Sequence, residues 1–128
     1  MKSLTVDAGD ERYDVLVGRL EDCRSRLMPL AGGKPLVVVT EPKVWGLHGS
    51  RLEALLPCDP ILVPEGEAAK DWPHLQTLIE VFTERNLDRS AAVAAFGGGA
   101  VGDLAGLAAG LFKRGIPIVQ LPTTLLAQ

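Results

Sequence analysis

The residues with the clearest chemical use are Gly97-Gly98-Gly99-Ala100-Val101-Gly102, followed at once by Asp103. They fit G-x-G-x-x-G and fall between a predicted strand and a predicted helix. Glycines let the backbone approach a phosphate, and the free N–H groups and dipole of a helix start favour an anion. The pattern departs from the dinucleotide fingerprint in two respects. It follows a late strand, and the position about 20 residues on holds Leu121-Pro122-Thr123 instead of a ribose-binding acid. On spacing alone, a nucleotide loop and a plain tight turn both remain open. Asp103 either complements the helix dipole or accepts hydrogen bonds from sugar hydroxyls. A carboxylate repels a pyrophosphate set directly over it, so hydroxyls are its better partner.

Other candidates lie at predicted element ends. Thr123 and Thr124 follow a strand, where open parallel sheets bind ligands; they suit a phosphate, or equally an N-cap. Lys113 and Arg114 close the glycine-rich helix, where cations suit the dipole. Arg114 is also able to grip a phosphate with two parallel N–H donors. Glu65, Glu67 and Lys70 make a charged turn at another strand end, whose plainer reading is a solvated loop. Gly102, Gly106 and Gly110 recur on one helix face and are expected to allow close packing against the sheet or another helix.

The elements that position these groups read as follows. Leu4 and Val6, then Tyr13, Val15 and Val17, alternate with polar residues about Ala8-Gly9-Asp10, which predicts a hairpin with one buried face. Leu20, Cys23, Leu27 and Leu30 predict an amphipathic helix over 19–30, closed by Gly32-Gly33. PLVVVT (35–40) is an uninterrupted apolar strand, as in a parallel sheet buried on both faces. A helix is predicted over 44–56, a short strand over 61–63, and a helix capped by Asp71 that carries Leu75, Leu78, Ile79 and Phe82. Trp45 and Trp72 are expected to be packing residues. A strand over 91–96, a buried helix over 100–113 and a strand over 116–121 complete the alternation. The fold class is α/β: a Rossmann-like, mostly parallel sheet with helices on both faces and an N-terminal β-hairpin.

The chain has 128 residues, 47% of them apolar, and a formal net charge of −3. That suffices for one domain, and the charge argues against a nucleic-acid binder, which needs excess Lys and Arg. Cys23 and Cys58 are too few and too separated to form a metal site with His48 and His74. No apolar leader and no run of about 18 apolar residues is present, so the expectation is a cytoplasmic protein without a membrane partner.

Taken together, PEGEAAK (64–70), GGGAVGDLAGLAAGLFKRG (97–115) and PTTLLAQ (122–128), in this order and spacing, resemble the N-terminal NAD-binding domain of the 3-dehydroquinate synthase family. The resemblance covers essentially the whole chain. It implies a reaction from 3-deoxy-D-arabino-heptulosonate 7-phosphate to 3-dehydroquinate and phosphate, with catalytic NAD and a divalent metal, zinc or cobalt, in a homodimer. It implies that Glu41, Glu65, Gly66, Glu67 and Lys70 hold the adenosine side of NAD. Gly98, Gly99 and Ala100 would lie on the pyrophosphate, Asp103 on ribose hydroxyls, and Thr123 and Thr124 along the cofactor site. Arg114 resembles the family arginine that reaches substrate phosphate across a dimer interface. Glu41 stands where an aspartate is usual and Lys43 where an asparagine is usual. The family continues into a lysine-bearing Asp-Ser-Ser-Val-Gly-Gly-Lys segment and a helical domain with Glu, His and His metal ligands. Neither is in this sequence, so residues 1–128 are expected to be an NAD-binding domain of a larger two-domain enzyme, without catalytic or metal-binding residues and inactive alone. The alternatives are another sugar-phosphate cyclase, such as 2-deoxy-scyllo-inosose synthase, and a non-catalytic nucleotide-binding module. Iron-dependent alcohol and glycerol dehydrogenases share the glycine turn but commonly continue into Gly-Thr-Gly-Ser after Pro-Thr-Thr, where this chain has Leu-Leu-Ala-Gln.

Overall fold

A computed structural model describes all 128 residues. An antiparallel hairpin, β1 (Lys2–Ala8) and β2 (Glu11–Val17), stands apart from a four-stranded parallel sheet. The sheet comprises β3 (Leu36–Thr40), β4 (Cys58–Leu62), β5 (Val93–Gly97) and β6 (Ile118–Pro122), in the order β4-β3-β5-β6. Its connections run through α2 (Pro42–Glu53), α3 (Trp72–Glu84) and α4 (Gly99–Leu111). A short helix, α1 (Arg24–Leu27), precedes β3.

Alternation along the strands sorts side chains to the two faces. Val37, Val39, Val93 and Ala95 pack under α3 and α4 with Leu78, Phe82, Leu104 and Ala108. Leu36, Val38, Ala94 and Phe96 pack on the opposite side with Leu27, Leu52 and Leu56. Every residue of β3 and β5 is buried, as expected for central parallel strands. Alanines let α4 sit close: Ala105, Ala108 and Ala109 are buried on the face to which β5 contributes Ala95. Phe82 meets Phe112 edge-on, with centroids 5.8 Å apart, and joins α3 to the end of α4. Asp71 caps α3 by accepting the His74 N–H at 2.9 Å.

Four local expectations are corrected. The hairpin has no buried face: Leu4, Tyr13, Val15 and Val17 are exposed, because only its own two strands pair and no helix lies over it. The helix expected over 19–30 is broken into a 3-10 turn, one α turn and a second 3-10 turn, with Pro29 lacking the N–H that a continuing helix requires. Trp72 is exposed at the start of α3, whereas Trp45 packs as expected. The glycine stripe on α4 meets the sheet only in part, at Gln120 of β6. A Cβ at Gly110 would meet nothing within 4 Å, and one at Gly106 or Gly102 would meet only the Gln120 side chain.

At the carboxyl ends of the central strands, the buried Thr40 hydroxyl donates to the Phe96 carbonyl at 2.7 Å. Thr40→Val keeps the shape and removes this donor, so it is expected to cost about 1 kcal/mol in urea denaturation; an unchanged midpoint would refute that role.

Candidate functional site

The order β4-β3-β5-β6 contains a reversal. From β3 the chain winds outward to β4 through α2 on one face. It then returns over β3 to β5 through α3 on the other. The carboxyl ends of β3 and β5 therefore diverge into loops on opposite sides, leaving a crevice where open α/β sheets bind ligands.

Glu41 follows β3 directly and precedes Pro42, the first residue of α2. It is only 8% exposed. Its Oε2 accepts the Gly66 N–H at 3.2 Å, which ties the end of β3 to the turn after β4. Gly66 has φ +67°, a conformation that favours glycine. The β5 end gives way to Gly98, extended at the N-cap of α4, and then to Gly99. The first N–H groups of α4 have no intrahelical acceptor. Thr123 is held beside them by donating its N–H to the Gly97 carbonyl at 2.9 Å. The Thr124 hydroxyl accepts the Ala127 N–H at 3.2 Å and closes a turn over 124–127, not a helix of the kind the N-cap reading expects.

Two clefts meet at this turn. The first, about 430 Å³, is lined by Glu41, Glu65, Gly66, Gly98, Gly99, Ala100, Thr123 and Thr124, and across them by Lys43, Val44, Leu47 and His48 of α2. The second, about 380 Å³, contains Glu67, Lys70, Gly97, Gly98, Gly99, Gly102, Asp103 and Gln120. Gly98 and Gly99 belong to both. In the second cleft Lys70 Nζ lies 2.6 Å from Asp103 and 3.4 Å from Glu67. The hydrogen bond to Asp103, foremost, raises the Lys70 pKa, so the amine stays cationic through neutral pH. Gln120 donates to the Gly102 carbonyl at 3.2 Å.

The structure thus gathers Glu41, Glu65, Gly66, Glu67, Lys70, Gly98, Gly99, Ala100, Asp103, Thr123 and Thr124 around one turn. Arg114 lies elsewhere. It follows the far end of the 13-residue α4, about 20 Å of helix away from Gly99. Sequence reasoning missed Leu47, His48 and Gln120 as lining residues. The first two would have been visible had α2 been started at Pro42, a favoured first helical residue, which sets Lys43, Leu47 and His48 on neighbouring turns of one face. No group of three His, Cys, Asp or Glu side chains is placed to hold a metal, and no helix is long and apolar enough to cross a membrane.

Residues 60–128 match the family model described as 3-dehydroquinate synthase N-terminal. The chain belongs to the 3-dehydroquinate synthase family. It is 40% identical over 133 aligned positions to the 3-dehydroquinate synthase of Jannaschia sp. (strain CCS1), covering 98% of this chain. The same-named protein of Bordetella pertussis (strain Tohama I) is 47% identical over 103 positions, 77% of this chain. The chain spans 36% of the Jannaschia protein and 29% of the Bordetella one. Among solved structures, 2-deoxy-scyllo-inosose synthase complexed with carbaglucose-6-phosphate, NAD+ and Co2+ superposes with a TM-score of 0.82 at 24% identity. That match covers 98% of this chain and 36% of the other, and shows the shared fold. The 2-epi-5-epi-valiolone synthase from Streptomyces hygroscopicus subsp. jinggangensis 5008, with NAD+ and Zn2+ bound, gives a TM-score of 0.79 at 31% identity, covering 94% of this chain and 35% of that one.

Asp103→Asn is expected to lower the Lys70 titration midpoint toward its ordinary 10.5, read from the side-chain resonances by NMR. A midpoint that does not move would show that the ion pair does not form in solution.

Proposed function

We propose that this chain is the NAD-binding domain of a two-domain 3-dehydroquinate synthase. The full enzyme would convert 3-deoxy-D-arabino-heptulosonate 7-phosphate to 3-dehydroquinate and phosphate, on the route to aromatic amino acids. The observation that carries the reading is the glycine turn shared by two clefts, with carboxylates in both. A dinucleotide needs this arrangement: a pyrophosphate against bare backbone, with a ribose to either side.

The residues present fit NAD. A Cβ built at Gly99 meets nothing within 4 Å, so the backbone there faces open space that a phosphate can enter. The N–H groups at the start of α4 supply donors for it. Glu41 Oε2 is engaged by Gly66, while Oε1 makes no hydrogen bond within the chain and suits a ribose hydroxyl. Asp103, held by Lys70, presents a carboxylate to the second ribose without adding net negative charge beside the pyrophosphate. When bound, NAD supplies reversible hydride acceptance at a substrate hydroxyl. The chain's own residues bind the cofactor and fix its orientation.

A divalent metal does not fit this chain, since no cluster of ligands exists in it. The metal, the catalytic lysine and the remaining substrate contacts would come from the part of the enzyme beyond these residues. The position of Arg114, a helix length from the clefts, supports a homodimer in which it serves its partner's substrate phosphate. A cytoplasmic location accords with a biosynthetic enzyme of this kind. The likeness to 2-deoxy-scyllo-inosose synthase supports the fold. The curated relatives favour the dehydroquinate reaction over that alternative.

Calorimetry with NAD tests the reading on the 128-residue chain. Saturable binding is expected, and Gly99→Val is expected to weaken it at least about tenfold without lowering Tm, because the added side chain occupies only the cleft. No heat from a folded sample, or equal binding by the variant, would refute the cofactor role. The isolated chain is expected to form no dehydroquinate.

A further inference from the structure

The end of α4 carries an unusual backbone. Lys113 and Arg114 are consecutive non-glycine residues with positive φ, +44° and +66°, followed by Gly115 at +99°. Such a conformation persists only where the surroundings hold it. Two short backbone bonds contribute: the Gly115 N–H donates to the Phe112 carbonyl at 2.7 Å, and the Ile116 N–H donates to the Ala109 carbonyl at 2.8 Å. The third hold comes from outside the segment. Arg89 Nε donates to the Gly115 carbonyl at 3.1 Å, and Arg89 Nη2 donates to the Arg114 carbonyl at 3.0 Å. A planar guanidinium fork spans two successive carbonyls in a way that a lysine ammonium does not.

Arg89 is itself held in place. Asp88 Oδ1 accepts the Ser90 N–H at 2.8 Å and also the Ser90 hydroxyl, closing a small turn with Arg89 at its centre. The Ser90 hydrogen bonds keep the Asp88 carboxyl below its usual range, so this turn stays intact through neutral pH. Beyond it, Ala92 and Val93 enter the sheet through bonds to Leu30 and Pro117. The side chain of Arg114, by contrast, makes no hydrogen bond or ion pair within the chain, and it is exposed.

We propose that Arg89 is a positioning residue: its fork on the Arg114 and Gly115 carbonyls sets the direction in which the Arg114 side chain leaves the fold to meet a substrate phosphate. The clamp is visible in the structure; its use rests on the reading of Arg114 given above. Arg89 would touch neither substrate nor cofactor. Its loss would leave Arg114 present but free to sample other directions, which weakens phosphate capture and leaves NAD binding unaltered.

Two measurements test this. In the first, amide spectra of the 128-residue chain are compared for the native protein, Arg89→Lys and Arg89→Ala. The alanine variant is expected to shift residues 113–115 and speed their hydrogen exchange, the lysine variant to do so less, and the Gly98–Asp103 resonances to stay in place. Unchanged resonances over 113–115 would overturn the clamp. In the second, the chain is joined to the remaining domain of the Azotobacter vinelandii relative, which it matches over its whole length at 39% identity. Arg89→Ala is expected to raise KM for the sugar phosphate about tenfold with kcat and NAD affinity nearly unchanged. It is also expected to add nothing further when combined with Arg114→Ala. Multiplying effects in the double variant, or a raised KM in Arg114→Ala with none in Arg89→Ala, would overturn the positioning role alone. No change in KM for Arg114→Ala would instead refute the phosphate role of Arg114, and the proposal with it.

Discussion

The structure depends on the reversal between β3 and β5. Two buried parallel strands lie side by side, and the chain leaves their ends toward opposite faces of the sheet. Loops that diverge in this way cannot fill the space between them. The Thr40–Phe96 hydrogen bond closes the bottom of that space, and the Glu41–Gly66 bond draws the turn after β4 to its side. The close seating of α4 on an alanine-rich strand then places Gly98 and Gly99 at its edge. Each of these features belongs first to the packing of the sheet. The site follows from them.

Charge in the site divides by position. The acids lie in the clefts to either side of the glycine turn, and the turn offers backbone N–H groups. In the proposed reading this would separate hydroxyl recognition from phosphate recognition over a short distance, with no cation needed directly at the pyrophosphate. Lys70 offsets the charge of Asp103 at one flank. Arg114 lies at a distance from all of this, so in the proposed enzyme the two anionic groups would be met by different ends of the same helix.

Most of the fold was legible from hydrophobic pattern. The uninterrupted apolar runs of β3 and β5 and the periodicity of α3 marked the sheet and its cover, and Asp71 marked a helix start correctly. What failed were inferences that a pattern implies a partner. Alternation in β1 and β2 predicted a covered face that this chain does not cover, and glycines at four-residue spacing on α4 predicted close packing that holds at Gly102, against Gln120, and not at Gly110. The gathering of the candidate residues at strand ends was legible because topology restricts which loops share the crevice. Gln120 was not: it lies within a strand, and only the sheet register, which sets it beside Ala95 on the α4 side, brings it to Gly102. His48 needed the true start of α2.

The central claim is that one dinucleotide lies across both clefts with its pyrophosphate at Gly98–Gly99. Amide shifts mapped during NAD titration test it most directly. The account predicts saturable changes at Glu65–Gly66 on one side and at Gly102–Asp103 on the other, with the largest at Gly98 and Gly99. Changes confined to one cleft, or centred away from the glycine turn, would contradict it.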